Sequence, residues 1–184
     1  MRQTIPPLTG VMVEVDLLPA LQSPWARFVI RNRTKGILGI DVERRWADDL
    51  LALGLTSDSV VALAILRDEE WNETEPLVDA ILRELSVDPT NKPRLLHIIR
   101  SQIVLAIENG ADPQEQAREG MLLASEFHDL PGYDGVLDVF YGIDDEFDLL
   151  ASGISFDPSF EELGAKTWTL NQLQKPERSR LTYT

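Results

Sequence analysis

The residues best suited to chemistry are concentrated in 129–163, a segment of 35 residues that holds ten carboxylates and neither Lys nor Arg. Six aromatic side chains are interleaved with these acids: Tyr133, Phe140, Tyr141, Phe147, Phe156 and Phe160. Aromatic rings offer a large contact area at a small cost in side-chain entropy, and a surface charge of one sign speeds the encounter with a partner of opposite charge. The combination therefore predicts a recognition surface for a basic protein.

An alternative interpretation of this segment is structural. Aromatic side chains are usually buried and carboxylates usually face solvent, so in this interpretation the rings form the core of a loop-rich lobe and the acids are its solvated side. If the segment is instead a recognition surface, we expect the partner to contact two tyrosines and six carboxylates. These residues are Tyr133, Asp134, Asp138, Tyr141, Asp144, Asp145, Glu146 and Asp148.

Clustered carboxylates also suggest a cation site or a carboxylate-based enzyme. A calcium loop needs oxygen ligands in fixed alternation, with Gly at the sixth place and an acid at the twelfth, and the run from Asp144 to Asp148 lacks that pattern. His97 and His128 are the only imidazoles and belong to different predicted helices, which argues against zinc. We expect no catalytic residue, no metal site and no cofactor. A hydrolase that uses carboxylates, or a divalent metal, is kept as an alternative function.

The composition of the whole chain limits its partners. Its 184 residues contain 31 Asp and Glu against 17 Lys and Arg, for a formal charge of −14. This charge argues against nucleic acid and anionic membranes, because both attract cationic proteins. No run approaches 18 apolar residues, so no membrane span is expected. The chain has no Cys and needs no oxidising compartment, so we predict a cytoplasmic location.

The spacing of apolar residues, the capping residues and the positions of Gly and Pro predict a mainly α fold. We expect an antiparallel stack of about six to seven helices. Helix starts are indicated at Ser23-Pro24, Asp41, Thr56 or Ser57, Thr74 and Asp112-Pro113. Ser23, Thr56 or Ser57, and Asp112 are the expected capping residues. The stretch from Arg94 to Asn109 is apolar nearly all round and is expected to be the central helix of the core. Its polar positions predict a narrow solvent-facing stripe of His97, Arg100, Ser101 and Glu108.

The helical pattern weakens after Pro131-Gly132. Apolar residues there predict a short helix that ends at Gly142 and a further helix over 143–150. The alternation of apolar and polar residues at 11–15 and at 167–170 is typical of strands. A small terminal β element that pairs these two segments is therefore an alternative addition to the helical fold.

The chain is expected to form a single helical domain over 1–184, because a chain of this length can bury a sizeable core. The loop at 88–93 contains two prolines and is the candidate for an internal seam. Residues 174–184 are expected to form a flexible tail.

The segment from Val139 to Asp148 reads Val-Phe-Tyr-Gly-Ile-Asp-Asp-Glu-Phe-Asp. Together with the helical frame, it resembles acidic immunity proteins, which protect bacteria from secreted toxins. In that family tyrosines beside carboxylates dock on a basic toxin domain. The resemblance therefore implies a bacterial protein that neutralises a toxin. A subunit or scaffold of a larger assembly is a further alternative.

Overall fold

The structure is a computed structural model that describes residues 18–129, 133–154 and 157–174. For residues 133–135 it describes the backbone only. Within these ranges every regular element is helical, which confirms the predicted all-α class. The strand predicted at 167–170 is wrong, because these residues lie inside a helix. Its predicted partner at 11–15 lies outside the described residues, and so does the predicted tail after Gln174.

The chain divides into two compact units between Gln102 and Ile103, inside a long helix. The amino-terminal unit contains α1 (Pro19–Gln22), α2 (Pro24–Lys35), α3 (Asp41–Ala52), α4 (Asp58–Ala64), a 3-10 segment (Asp68–Glu73), α5 (Thr74–Glu84) and the start of α6 (Lys92–Glu108). The candidate seam at 88–93 lies within this unit, between α5 and the first turn of α6. The single-domain organisation stays a prediction.

Capping residues start α2 and α4 where the sequence predicts, whereas α3 and α5 begin at Asp41 and Thr74 without a side-chain cap. Ser23 Oγ accepts a hydrogen bond from the Trp25 backbone N–H at 3.2 Å at the start of α2. Ser57 Oγ accepts one from the Val60 N–H at 3.4 Å at the start of α4. In each case the side chain satisfies a backbone donor that has no partner within the helix.

The amino-terminal unit has its own core, in which α2 packs on α3 and α5, and α4 packs on α3 and α5. Trp46 of α3 is completely buried, and its indole N–H donates to the Ala20 carbonyl at 3.2 Å. A bidentate ion pair joins α2 to α5, with Arg33 Nε 2.5 Å from Asp79 Oδ1 and Arg33 Nη2 3.0 Å from Asp79 Oδ2. Apolar burial and the ion pairing of Arg33 therefore hold α2 against α5.

The carboxy-terminal unit contains the rest of α6, α7 (Pro113–Ala124), a 3-10 turn (Ser125–Phe127), α8 (Tyr133–Ala151), α9 (Pro158–Leu163) and α10 (Ala165–Gln174). Asp112 caps α7 as predicted, since its Oδ1 accepts from the Glu115 N–H at 2.8 Å. The predicted break at Gly142 is wrong, because α8 runs through it as one helix of 19 residues. α8 packs on α7 and α10, and α9 packs on α10.

The polar stripe predicted on α6 is also wrong in part. Arg100 and Ser101 retain only 6% and 0% of their accessible surface, whereas Glu108 is exposed. Apolar residues recur around the whole circumference of α6, so the polar residues among them are buried with the helix. Arg100 and Ser101 each have an interaction partner, as buried polar groups require.

Candidate protein-binding site

The outward face of α8 carries a row of acids with a tyrosine among them, called here the α8 acidic stripe. Its members are Asp138, Tyr141, Asp145 and Asp148, and all four are exposed. Their spacings of three, four and three residues place them within about 80° of the helix circumference. Val136, Phe140 and Ile143 point the other way and are buried. The periodicity of one helix thus separates a core face from a charged face.

Two residues of α7 pair with two acids of α8. Gln114 Nε2 lies 2.8 Å from Asp148 Oδ1 and 3.0 Å from Asp144 Oδ1. Arg118 Nε lies 2.7 Å from Asp144 Oδ1, and its Nη2 lies 3.0 Å from Asp148 Oδ1. In each helix the two residues are four positions apart, and the closest contacts join 114 to 148 and 118 to 144. The two helices therefore run antiparallel along this face.

These pairs distinguish the two acids. The Asp144 side chain is 17% exposed and Asp148 is 62% exposed. Asp144 is thus mainly engaged with α7, whereas Asp148 also presents charge to solvent. Of the six predicted carboxylates, Asp138, Asp145 and Asp148 lie in the exposed stripe.

Glu146 has a different position from its neighbours. It is 5% exposed, and its Oε1 accepts a hydrogen bond from the Asp157 N–H at 3.2 Å. Asp157 Oδ2 in turn accepts from the Trp168 indole N–H at 2.9 Å. This network connects α8, the start of α9 and α10. Glu146 is therefore part of the internal framework, which corrects its predicted role as a surface contact.

The aromatic residues of 129–163 differ in their exposure. Phe140 is 1% exposed, as the structural interpretation requires, whereas Tyr141 is 51% exposed, as a contact residue must be. The Phe160 ring packs against Phe147 and Trp168, with centroids 5.2 and 5.0 Å apart. The side chains of Tyr133 and Asp134, and the whole of Phe156, lie outside the described residues.

A groove lies beside the stripe, between α7 and α8, with a volume of about 450 Å³. It is lined by Arg118, Met121, Leu122, Ser125, Leu137, Tyr141 and Asp144. Leu122 is 65% exposed and lines the groove together with Tyr141, which is 51% exposed. The groove therefore adds a small, solvent-accessible apolar surface beside the α8 acidic stripe.

The α7 residues of this site are absent from the sequence-based prediction. Gln114 and Arg118 are spaced by four, as are Asp144 and Asp148, and this matched spacing is the signal that could have joined the two helices. Nothing in the local pattern marks Leu122, because a single exposed leucine is ordinary. Only the packing of α7 on α8 reveals that it lines a groove.

The described part of the chain contains no group of three or more His, Cys, Asp or Glu residues arranged to hold a metal ion. Among the same residues, no helix is long and apolar enough to cross a membrane.

Comparison with known proteins adds no relative, since no family model, curated protein or solved structure matches the chain.

Proposed function

We propose that this protein is an acidic binding module that captures a basic protein through the α8 acidic stripe. The single observation that supports it is the exposure of Asp138, Asp145 and Asp148 on one face together with the half-exposed ring of Tyr141. α8 has no basic residue, so the charges that it contributes to this face are all negative, and Arg118 of α7 pairs with Asp148 at one edge. Such a face attracts cationic partners and repels anionic ones.

The specific form of this proposal is an immunity protein that neutralises a basic bacterial toxin domain in the cytoplasm. The acids and Tyr141 on one helix face support it, because an aromatic anchor surrounded by charge suits rapid and selective capture. The absence of Cys is compatible with a reducing compartment. The toxin would contribute the basic residues that α8 lacks.

The proposal is tested by selecting random peptides displayed on phage against the full chain and measuring the association rates of the winners. We expect winners rich in Lys and Arg. The variant Asp138→Asn/Asp145→Asn should slow their association by about tenfold at low salt and reduce its salt dependence.

The matched control is Asp48→Asn/Glu69→Gln, which removes the same charge from exposed positions of the amino-terminal unit. We expect it to change the association rate by less than about twofold, because these two residues are not part of the α8 acidic stripe. Winners without basic residues, or equal effects of the two double variants, would contradict capture through α8.

A further inference from the structure

The length of the groove between α7 and α8 and the residues that line it limit which ligands it can bind. On α7 its lining extends from Arg118 to Ser125, and on α8 from Leu137 to Asp144. Seven residues of helix rise about 10 Å, or two turns. A surface of that length accommodates a short ridge of side chains and is too short for an extended interface.

Four of the lining residues are apolar or aromatic and are called here the apolar floor. Met121 and Leu122 of α7 and Leu137 and Tyr141 of α8 line it, and Leu122 and Tyr141 are 65% and 51% exposed. A ligand that covers these two side chains removes apolar surface from water, which is the main source of affinity at the centre of an interface. The ligand must therefore present apolar side chains to the groove.

The charges around the groove determine which charged residues a ligand must carry beside its apolar ones. Arg118 is the cation in the lining, and it is already paired with Asp144 at 2.7 Å and Asp148 at 3.0 Å. Moving round α8 away from α7, at 100° per residue, Leu137 and Asp144 are followed by Tyr141 and then by Asp145 and Asp138. The rim beyond the apolar floor on the α8 side is therefore acidic.

The rim of the groove on the α7 side is acidic as well. Glu115 is exposed and Glu119 is half-buried, and on the helical wheel both lie next to Leu122. An apolar floor between two acidic rims complements a helix whose apolar ridge has basic residues on both flanks. A third helix that packs by its ridge into a groove between two helices is a common mode of peptide recognition.

We infer that the α7–α8 groove binds an amphipathic basic helix of the partner, with Leu, Ile or Phe on its ridge and Lys or Arg on its flanks. This inference rests on the proposed function and specifies the form of its partner. Capture by charge alone would need only the acids of the α8 acidic stripe, whereas this mode also requires the apolar surface of Leu122 and Tyr141.

Three synthetic peptides of about 18 residues, or five helical turns, distinguish binding of a helix in the groove from capture by charge alone. The first has a Leu ridge flanked by Lys; the second has the same composition scrambled to remove the ridge; the third keeps the ridge and replaces Lys with Glu. Titration calorimetry with the full chain should show the first peptide binding at least about tenfold more tightly than either of the others.

Variants of the chain locate the binding. Leu122→Ser should weaken binding of the ridge peptide by about fivefold or more. Ile65→Ser is the matched control, because Ile65 is 74% exposed in the amino-terminal unit and its loss should leave the affinity within about twofold. Both positions are exposed, so both variants should fold, and circular dichroism melts check this.

Equal binding of the ridge and scrambled peptides would overturn the inference and leave capture by charge intact. An unchanged affinity in Leu122→Ser would also overturn it. If no peptide binds, the inference fails, and the phage selection then decides separately whether basic capture fails with it.

Discussion

Asp145 and Glu146 are adjacent carboxylates with opposite environments. Asp145 is exposed on the α8 acidic stripe, whereas Glu146 is 5% exposed and accepts a hydrogen bond from the Asp157 backbone. One residue of helix turns a side chain by about 100°, so a single step moves a carboxylate from solvent to the interior. At the residue scale, position on the helix decides whether an acid can bind a partner or supports the fold.

Asp79 provides a test at this scale. Its pairing with Arg33 joins α2 to α5 at 2.5 and 3.0 Å, and the hydrogen bond raises the pKa of the Arg33 guanidinium above its ordinary value, against an opposing effect of burial. Asp79 is 9% exposed. We expect Asp79→Asn to lower the free energy of unfolding by about 1.5–3 kcal/mol, because it removes the closer and more buried of the two acids that pair with Arg33.

Urea denaturation measures this change. The control is Glu75→Gln, which removes the second acid near Arg33, at 3.2 Å and 54% exposed. It should cost less than about 1 kcal/mol, as exposed ion pairs generally do. If both variants cost the same, burial of the Arg33–Asp79 pair has no special role.

At the scale of elements, α7 and α8 approach each other closely. A Cβ atom added at Gly120 of α7 would overlap the ring of Phe140 on α8, whereas one added at Gly142 would meet nothing within 4 Å. Gly120 is buried and Gly142 is exposed. The absence of a side chain at Gly120 is therefore a packing requirement, and Gly142 is simply tolerated in a helix.

The two glycines predict opposite effects of the same substitution. Gly142→Ala should stabilise the protein by up to about 1 kcal/mol through helix propensity. Gly120→Ala gains the same propensity but must displace Phe140, and we expect a net loss of about 1–3 kcal/mol. Urea denaturation of both variants measures the difference. A stabilising Gly120→Ala would show that the two helices do not pack so closely.

At the scale of the whole molecule, the formal charge of −14 over 184 residues has a physical consequence. Like charges repel one another in a compact state, and salt screens that repulsion. Raising NaCl from about 10 to about 200 mM at neutral pH should raise the melting temperature by about 2–5 °C. A calorimetric scan measures it.

Because acids are dense on α8, that helix should contribute much of the repulsion between like charges. Asp138→Asn/Asp145→Asn should therefore show a smaller rise in melting temperature with salt than the unmodified protein, because less repulsion remains to be screened. A melting temperature that falls with salt would mean that specific ion pairs outweigh the general repulsion.

Much of the fold follows from local sequence. Ser23, Ser57 and Asp112 cap their helices as predicted, because a cap is made by residues two or three positions apart. The all-α class follows from apolar repeats of the same short range. Gly142 shows where local reasoning fails. A glycine costs a helix only about 1 kcal/mol, and the buried positions Phe140 and Ile143 on either side of it outweigh that cost.

The sequence by itself determined the charge of 129–163, the residues available for binding and the helical class, since composition and short-range spacing carry that information. Only the tertiary structure decided which of them reach solvent. It buried Glu146, engaged Asp144 with Arg118 and left Asp138, Tyr141, Asp145 and Asp148 exposed. It also brought Leu122 beside Tyr141. These outcomes depend on contacts between helices, which short-range spacing does not specify. α7 packs on α8 at Asp144 and Leu122, whereas the hydrogen bonds of Glu146 lead to the start of α9 and to α10.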